Sequence, residues 1–256
     1  MPMLLDTLPT LPFPLGPAEQ AAIDRCLHQV VADSRRNEAV DGFGRCADYA
    51  ILGAKVLTQL LGHPYSPVAG GQIIDCGADE HIVIFPGREA RRGINHLSQL
   101  IQYHCWIKSA RGTREEIVDF TARHDALSAR AFGKTFQGDP GRTYQWGWRE
   151  DYDLPIPPAL QNHPAARGRS GWLWEDSACT RLLRDYAREN AAMYEELCAR
   201  VLGMLTLELV APKPQAKPSA PLMVMASAPR PTALPFARKA VARAFETSEL
   251  TSSSVL

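Results

Sequence analysis

The feature that most constrains this chain is a helix with almost no polar face. Between residues 45 and 61 the apolar side chains Ala47, Ala50, Ile51, Ala54, Val56, Leu57, Leu60 and Leu61 recur so densely that they wrap most of the cylinder. A helix of that kind has to be buried on nearly all sides. Gly62 and Pro64 follow directly, the order in which helices stop. A polar, glycine-containing loop over residues 37–44 precedes it. The fold must therefore wrap other elements around this segment. The material for that wrapping comes next in the sequence: residues 66–75, 81–85, 99–109 and 116–121 read as strands separated by glycine, proline or charged turns. Short connections favour antiparallel pairing. One buried helix followed by consecutive strands is an α+β pattern, not an alternating one.

Further elements frame this core. Residues 17–35 read as a helix opened by Pro17, with Ala21, Ile23, Leu27, Val30 and Val31 at helical spacing. A helix is expected from about residue 123 to 133. An aromatic and proline-rich stretch follows, with Trp146, Trp148, Tyr152, Trp172 and Trp174, read first as a packed loop over the core. One long helix is expected over residues 176–209. The expected organisation is a single domain over residues 1–209, with its core at about 17–135, and a disordered tail over 210–256. The tail holds seven prolines and six basic residues against two acidic ones. Residues 236–245 within it have the makings of an amphipathic helix on a protein partner.

Composition removes several function classes. Lys and Arg number 28 and Asp and Glu number 28, so no basic excess points to nucleic acid. No apolar run approaches the roughly 20 residues that a spanning helix needs. The first 17 residues contain Asp6 and five prolines but no basic start, unlike a secretory leader. The six cysteines (26, 46, 76, 105, 179 and 198) show neither Cys-x-x-Cys nor zinc-type spacing. Cys76 with His81 and Cys105 with His104 are too scattered to suggest four convergent zinc ligands. Free thiols in a reducing cytoplasm, with no metal and no cofactor, are the expectation.

One cysteine stands apart. Cys46 follows Gly42-Phe43-Gly44-Arg45 and opens the buried helix, where the helix dipole and unpaired backbone N–H groups favour a thiolate and offer a donor to an oxyanion. His104 lies in a strand-like segment whose alternation puts it on one face with Gln102 and Trp106, and Tyr103, Cys105 and Ile107 on the other. Asp119 comes in the next strand of a hairpin, within reach of the imidazole as its orienting group. Cys46, His104 and Asp119 are thus the expected nucleophile, base and orienter. Cys26, Cys105, Cys179 and Cys198 read as buried apolar residues, Trp106 as a packing neighbour, Asp125 as the competitor of Asp119, and Gly70-Gly71 as a turn or bulge.

These residues resemble the transglutaminase-like cysteine superfamily. Gly44-Arg-Cys-Ala-Asp-Tyr-Ala50 with Leu57-x-x-Leu-Leu-Gly62 is similar to its nucleophile helix, His104-Cys-Trp106 to its His-Ala-Trp, and Val118-Asp-Phe-Thr121 to its Val-Asp-Pro-Thr. The resemblance spans about residues 40–125. It implies a papain-like fold, and cysteine acyl transfer on an amide or peptide bond through a thioester, the acyl group passing to water or to an amine. The upstream tryptophan or glutamine that supplies a second oxyanion donor has no obvious counterpart; Asn37 and Gln72 are the candidates. Phe120 stands where the family has proline. Two other readings remain: a binding or scaffold protein that keeps the fold with a quiet site, and an arylamine N-acetyltransferase type, whose Arg-Gly-Gly before the cysteine is missing.

Overall fold

The computed structural model describes residues 14–34, 40–87 and 91–210. The chain divides after Ala211, and the expected disordered tail, with its candidate helix at 236–245, lies outside the described residues.

The buried helix is α2 (Cys46–Leu61). It ends on Gly62, whose left-handed φ of 61° lets its N–H reach the carbonyl of Thr58. Leu52, Val56 and Leu57 on it are fully buried, so truncating any one of the leucines should cost about 2–5 kcal/mol. Gly53 marks the closest approach to the sheet. A Cβ there would stand 2.6 Å from Ile107 and 2.9 Å from Phe120.

The sheet beneath it runs β2 (Glu80–Ile84), β1 (Ser66–Gly77), β3 (His104–Arg111), β4 (Arg114–Asp119), β5 (Gln145–Trp148), with β6 (Leu173–Glu175) also paired to β1. All pairings are antiparallel. The class is therefore α+β. On one face, α1 (Pro17–Ser34), α2 and α5 (Ala191–Val210) build the main core with Ala69, Cys105, Ile107, Val118 and Phe120. The opposite face carries a separate cluster of Val68, Trp106, Ile117 and Leu173, with Tyr152 against it. Alternation along β3 assigns His104 to the face of Trp106 and Cys105 to the face of α2.

Several expectations change. The long helix over 176–209 is two helices, α4 (Ser177–Glu189) and α5, broken at Asn190, whose amide N–H and side-chain amide both donate to the Tyr186 carbonyl. Residues 97–99 form a 3-10 turn and the strand begins only at His104, so this histidine starts its strand and is not mid-strand. The helix expected at 123–133 is a 3-10 turn at 122–124 followed by α3 (Asp125–Ala131). The aromatic stretch is not only loop: β5 pairs with β4 and β6 with β1, extending the sheet with residues that sequence periodicity does not mark. Among the described residues no helix is long and apolar enough to cross a membrane.

Candidate active site

Cys46 is the first residue of α2, and the residue before it, Arg45, caps the helix without any side-chain bond. The Arg45 carbonyl takes the amides of Asp48 and Tyr49, at 3.0 and 3.2 Å. Among the described residues the amides of Cys46 and Ala47 have no backbone acceptor, as first-turn geometry dictates. The loop leading in is held in shape. Asp41, Gly42 and Gly44 all have positive φ. His28 on α1 contacts the Asp41 carboxylate at 3.1 Å and the Tyr49 hydroxyl at 2.6 Å, and His124 donates to the Asp41 carbonyl at 2.9 Å. Burial pushes both imidazoles below their ordinary range, which keeps them neutral in this clamp.

The second and third members meet on the sheet. His104 Nε2 donates to Asp119 Oδ2 at 2.7 Å, and both side chains are buried. The register that aligns them is Ile107 opposite Val118, which sets Trp106 opposite Asp119 on one face. The other carboxylate oxygen, Oδ1, accepts from the Thr121 amide at 2.8 Å and the Thr121 hydroxyl at 2.6 Å. The Trp106 ring lies nearly parallel to the imidazole, with centroids 6.0 Å apart. With Nε2 committed to Asp119, Nδ1 is the nitrogen left to take or give a proton.

Charge follows this geometry. Burial works against an imidazolium at His104, but the Asp119 carboxylate and its hydrogen bond outweigh it, and His104 is held above the ordinary imidazole range. Asp119 is held below the ordinary carboxylate range, because His104 and the Thr121 bonds overcome its burial. The Cys46 thiol is lowered as well: a hydrogen bond from the Cys105 thiol is the largest cause, and the field of His104 adds to it against burial. The other five thiols all move up, led by burial, with Cys26 and Cys179 pushed up to about 12 and Cys198 to about 11.

In the resting arrangement the Cys46 thiol donates to the Tyr103 carbonyl at 3.8 Å, and no hydrogen bond joins it to the His104 ring. Catalytic contacts of this kind are often loose without substrate. Of the two candidate second oxyanion donors, Asn37 lies outside the described residues. Gln72 sits in β1 on the His104 face and lines a cavity there. Asp125 does not compete for His104: it pairs with Arg142 at 2.9 Å, and burial, then the nearby Asp119, push its carboxyl up to about 6. Among the described residues no cluster of His, Cys, Asp or Glu could hold a metal ion. Sequence reasoning missed Thr121 as a holder of Asp119, Cys105 as the thiol neighbour that lowers Cys46, and the His28–Asp41–His124 clamp. Thr121 was detectable, two residues beyond Asp119, where its amide and hydroxyl can fold back on the carboxylate.

No family model matches this chain, and no curated protein matches it. A crystal structure described only as a genomics target is similar at 14% identity and a TM-score of 0.42, covering 80% of this chain and 84% of its own.

Proposed function

We propose that this protein is a cysteine-nucleophile acyl-transfer enzyme of the transglutaminase-like, papain-like type, acting on an amide or peptide bond through a thioester. The observation that carries the proposal is the His104–Asp119 bond of 2.7 Å, with Thr121 fixing the far carboxylate oxygen. An imidazole so oriented and so raised is suited to hold the proton of a neighbouring thiol. In the proposed reaction the Cys46 thiolate attacks the carbonyl carbon and the C=O electron pair moves to oxygen, facing the Cys46 and Ala47 amides. The tetrahedral species collapses as His104 Nδ1 gives its proton to the leaving nitrogen. The C–N bond breaks, an amine departs and an acyl thioester on Cys46 remains. Water or an amine then attacks the thioester, His104 takes the incoming proton, and the thiolate is restored.

The test is trapping. Incubation with a peptide-amide library, followed by acid quenching and mass spectrometry, should find an acyl adduct on Cys46 that is absent from Cys46→Ala. Turnover of any such peptide at full rate by Cys46→Ala would overturn the proposal.

One observation favours a second reading, a binding protein with a quiet site: the Cys46 thiol donates to the Tyr103 carbonyl and not to the imidazole. Thiol reactivity separates the two. An activated Cys46 alkylates with iodoacetamide well below the ordinary thiol range, whereas a quiet one labels only as pH approaches that range.

A further inference from the structure

A second thiol stands beside Cys46. The side of α2 that meets the sheet is marked by Gly53, where a Cβ would stand 2.6 Å from Ile107. Cys46 lies seven residues earlier, two turns back on that same side of the helix. On β3, Cys105 lies two residues before Ile107 and leaves the strand on the same face, into the core beneath α2. The helix start lies over the strand start: Cys46 Sγ is 3.8 Å from the carbonyl oxygen of Tyr103, two residues before Cys105. The thiols of Cys46 and Cys105 are thus neighbours across the helix–sheet layer, and both are free.

The two members differ. Cys46 is half-buried at the head of its helix, whereas Cys105 is 1% exposed. The Cys46 thiol is lowered, by Cys105 first and by the field of His104 after it, and the Cys105 thiol is raised by its burial. A lowered and reachable thiol is the one a peroxide oxidises, and a sheltered thiol beside it is placed to complete the reaction. Cys105 has one other thiol close by. The Thr180 hydroxyl accepts from the amide and donates to the carbonyl of Ala69, the register partner of Cys105, which sets Cys179 near it. Cys179 is as buried as Cys105 and its thiol is pushed up to about 12, so neither of that pair starts an oxidation.

We infer that Cys105 is the resolving thiol of Cys46: under hydrogen peroxide the two close into an intramolecular disulfide that blocks the nucleophile reversibly. In the first step the Cys46 thiolate attacks one peroxide oxygen, the O–O bond breaks, and the other oxygen leaves as hydroxide and is protonated to water. The sulfur loses two electrons and becomes a sulfenic acid, and the peroxide is reduced. In the second step the Cys105 sulfur attacks the Cys46 sulfur and the S–O bond breaks. The hydroxyl departs with the Cys105 proton as a second water, and the S–S bond remains. A dithiol reductant returns both thiols by exchange. This chemistry needs a reactive Cys46 but not the proposed acyl transfer.

The experiment titrates the full chain with hydrogen peroxide, blocks the remaining thiols with iodoacetamide, digests with trypsin without reductant and reads the peptides by mass spectrometry. Peptide 46–55 should appear joined to peptide 93–108, with two hydrogens lost, and dithiothreitol should separate them and restore labelling of Cys46. With dimedone present during oxidation, wild type should give little adduct on Cys46, because Cys105 consumes the sulfenic acid. In Cys105→Ala the joined peptide should be absent and the dimedone adduct on Cys46 should become the main product. Three wild-type results overturn the inference without recourse to the variant: Cys46 labelling lost with no joined peptide, a bridge from Cys105 to Cys179 instead, or Cys46 still fully labelled throughout the peroxide titration. Equal dimedone adduct in the two proteins overturns it as well. Absence of any acyl adduct on Cys46, with the bridge forming as expected, would count against the acyl-transfer reading alone.

Discussion

Cys46 is the first residue of α2 and Cys179 the third residue of α4, so both thiols stand in the first turn of a helix, where the dipole favours a thiolate. Their fates are opposite. At α4 the cap is Asp176, whose carboxylate accepts from the amides of Ala178 and Cys179 at 3.1 Å each and is itself paired with Arg91 at 2.6 Å. The positive end of the helix is thereby neutralised by an acid, the thiol is 1% exposed, and burial followed by Asp176 pushes it up to about 12. At α2 the cap is Arg45, which offers no acid; its guanidinium is turned to Asp48, Ser34 and the Val31 carbonyl. Among the described residues the first two amides have no backbone acceptor, and the positive field of His104 and the neighbouring Cys105 thiol both favour the thiolate. A helix N-terminus alone does not activate a cysteine. The cap and the partners across the sheet decide.

Removing the partner should break the contrast most severely. His104→Ala takes away the positive field that helps lower the Cys46 thiol, so iodoacetamide labelling of Cys46 near neutral pH should fall on the order of 100-fold, the scale on which a positioned base contributes. Labelling of Cys179 should not change. If both cysteines label at their wild-type rates, the helix start and Cys105 would be sufficient for activation, and His104 would have no part in it.

Asp119→Asn comes next. It keeps the shape but replaces the carboxylate that raises His104, so the imidazolium loses its main support. Cys46 labelling should fall by about 10-fold, and the acidic limb of its pH profile should move up as His104 gives up its proton more readily. A profile that matches wild type would remove Asp119 from the charge network.

Much of this was legible in the sequence, for local reasons. The density of apolar residues over 45–61 demanded a buried helix, and Gly62 marked its end to the residue. The 15-residue gap between His104 and Asp119 fits a hairpin with a tight turn at Gly112, and the structure pairs the two side chains. What was illegible is non-local. Gln145-Trp-Gly-Trp148 alternates, but over only four residues inside a proline- and glycine-rich stretch, too short to read as a strand; it becomes one by pairing with β4. Asn190 is neither Gly nor Pro, and it interrupts a helical pattern only because α5 turns to pack on α1 and α2. The Tyr103 carbonyl and the Cys105 thiol reach Cys46 across a separation of more than 50 residues.

A smaller effect probes the other helix. Asp176→Ala removes the cap of α4 and the Arg91 pair, and should cost about 1–2 kcal/mol of stability in a denaturant melt. Cys179 should remain unreactive, because burial is the largest cause of its raised thiol. Fast labelling of Cys179 in this variant would mean that the acid cap alone separates the two cysteines.

The gentlest test is Thr121→Val, which keeps the volume and the backbone amide bond to Asp119 Oδ1 but deletes the hydroxyl at 2.6 Å. The loss should be about 1 kcal/mol near neutral pH. Its pH dependence carries the information. The Asp119 carboxyl is depressed in the folded protein from an ordinary value of 3.8, so it contributes stability above that value and loses it as pH falls through the folded pKa. With one donor gone the folded pKa rises toward the ordinary value. The deficit of the variant should therefore be full near neutrality and shrink toward zero in acid, once Asp119 is protonated in both proteins. A deficit that stays constant from neutral to acid pH would show that Thr121 acts through packing and not through the carboxylate. His104 would then owe its orientation to the Asp119 bond and the Trp106 stack alone.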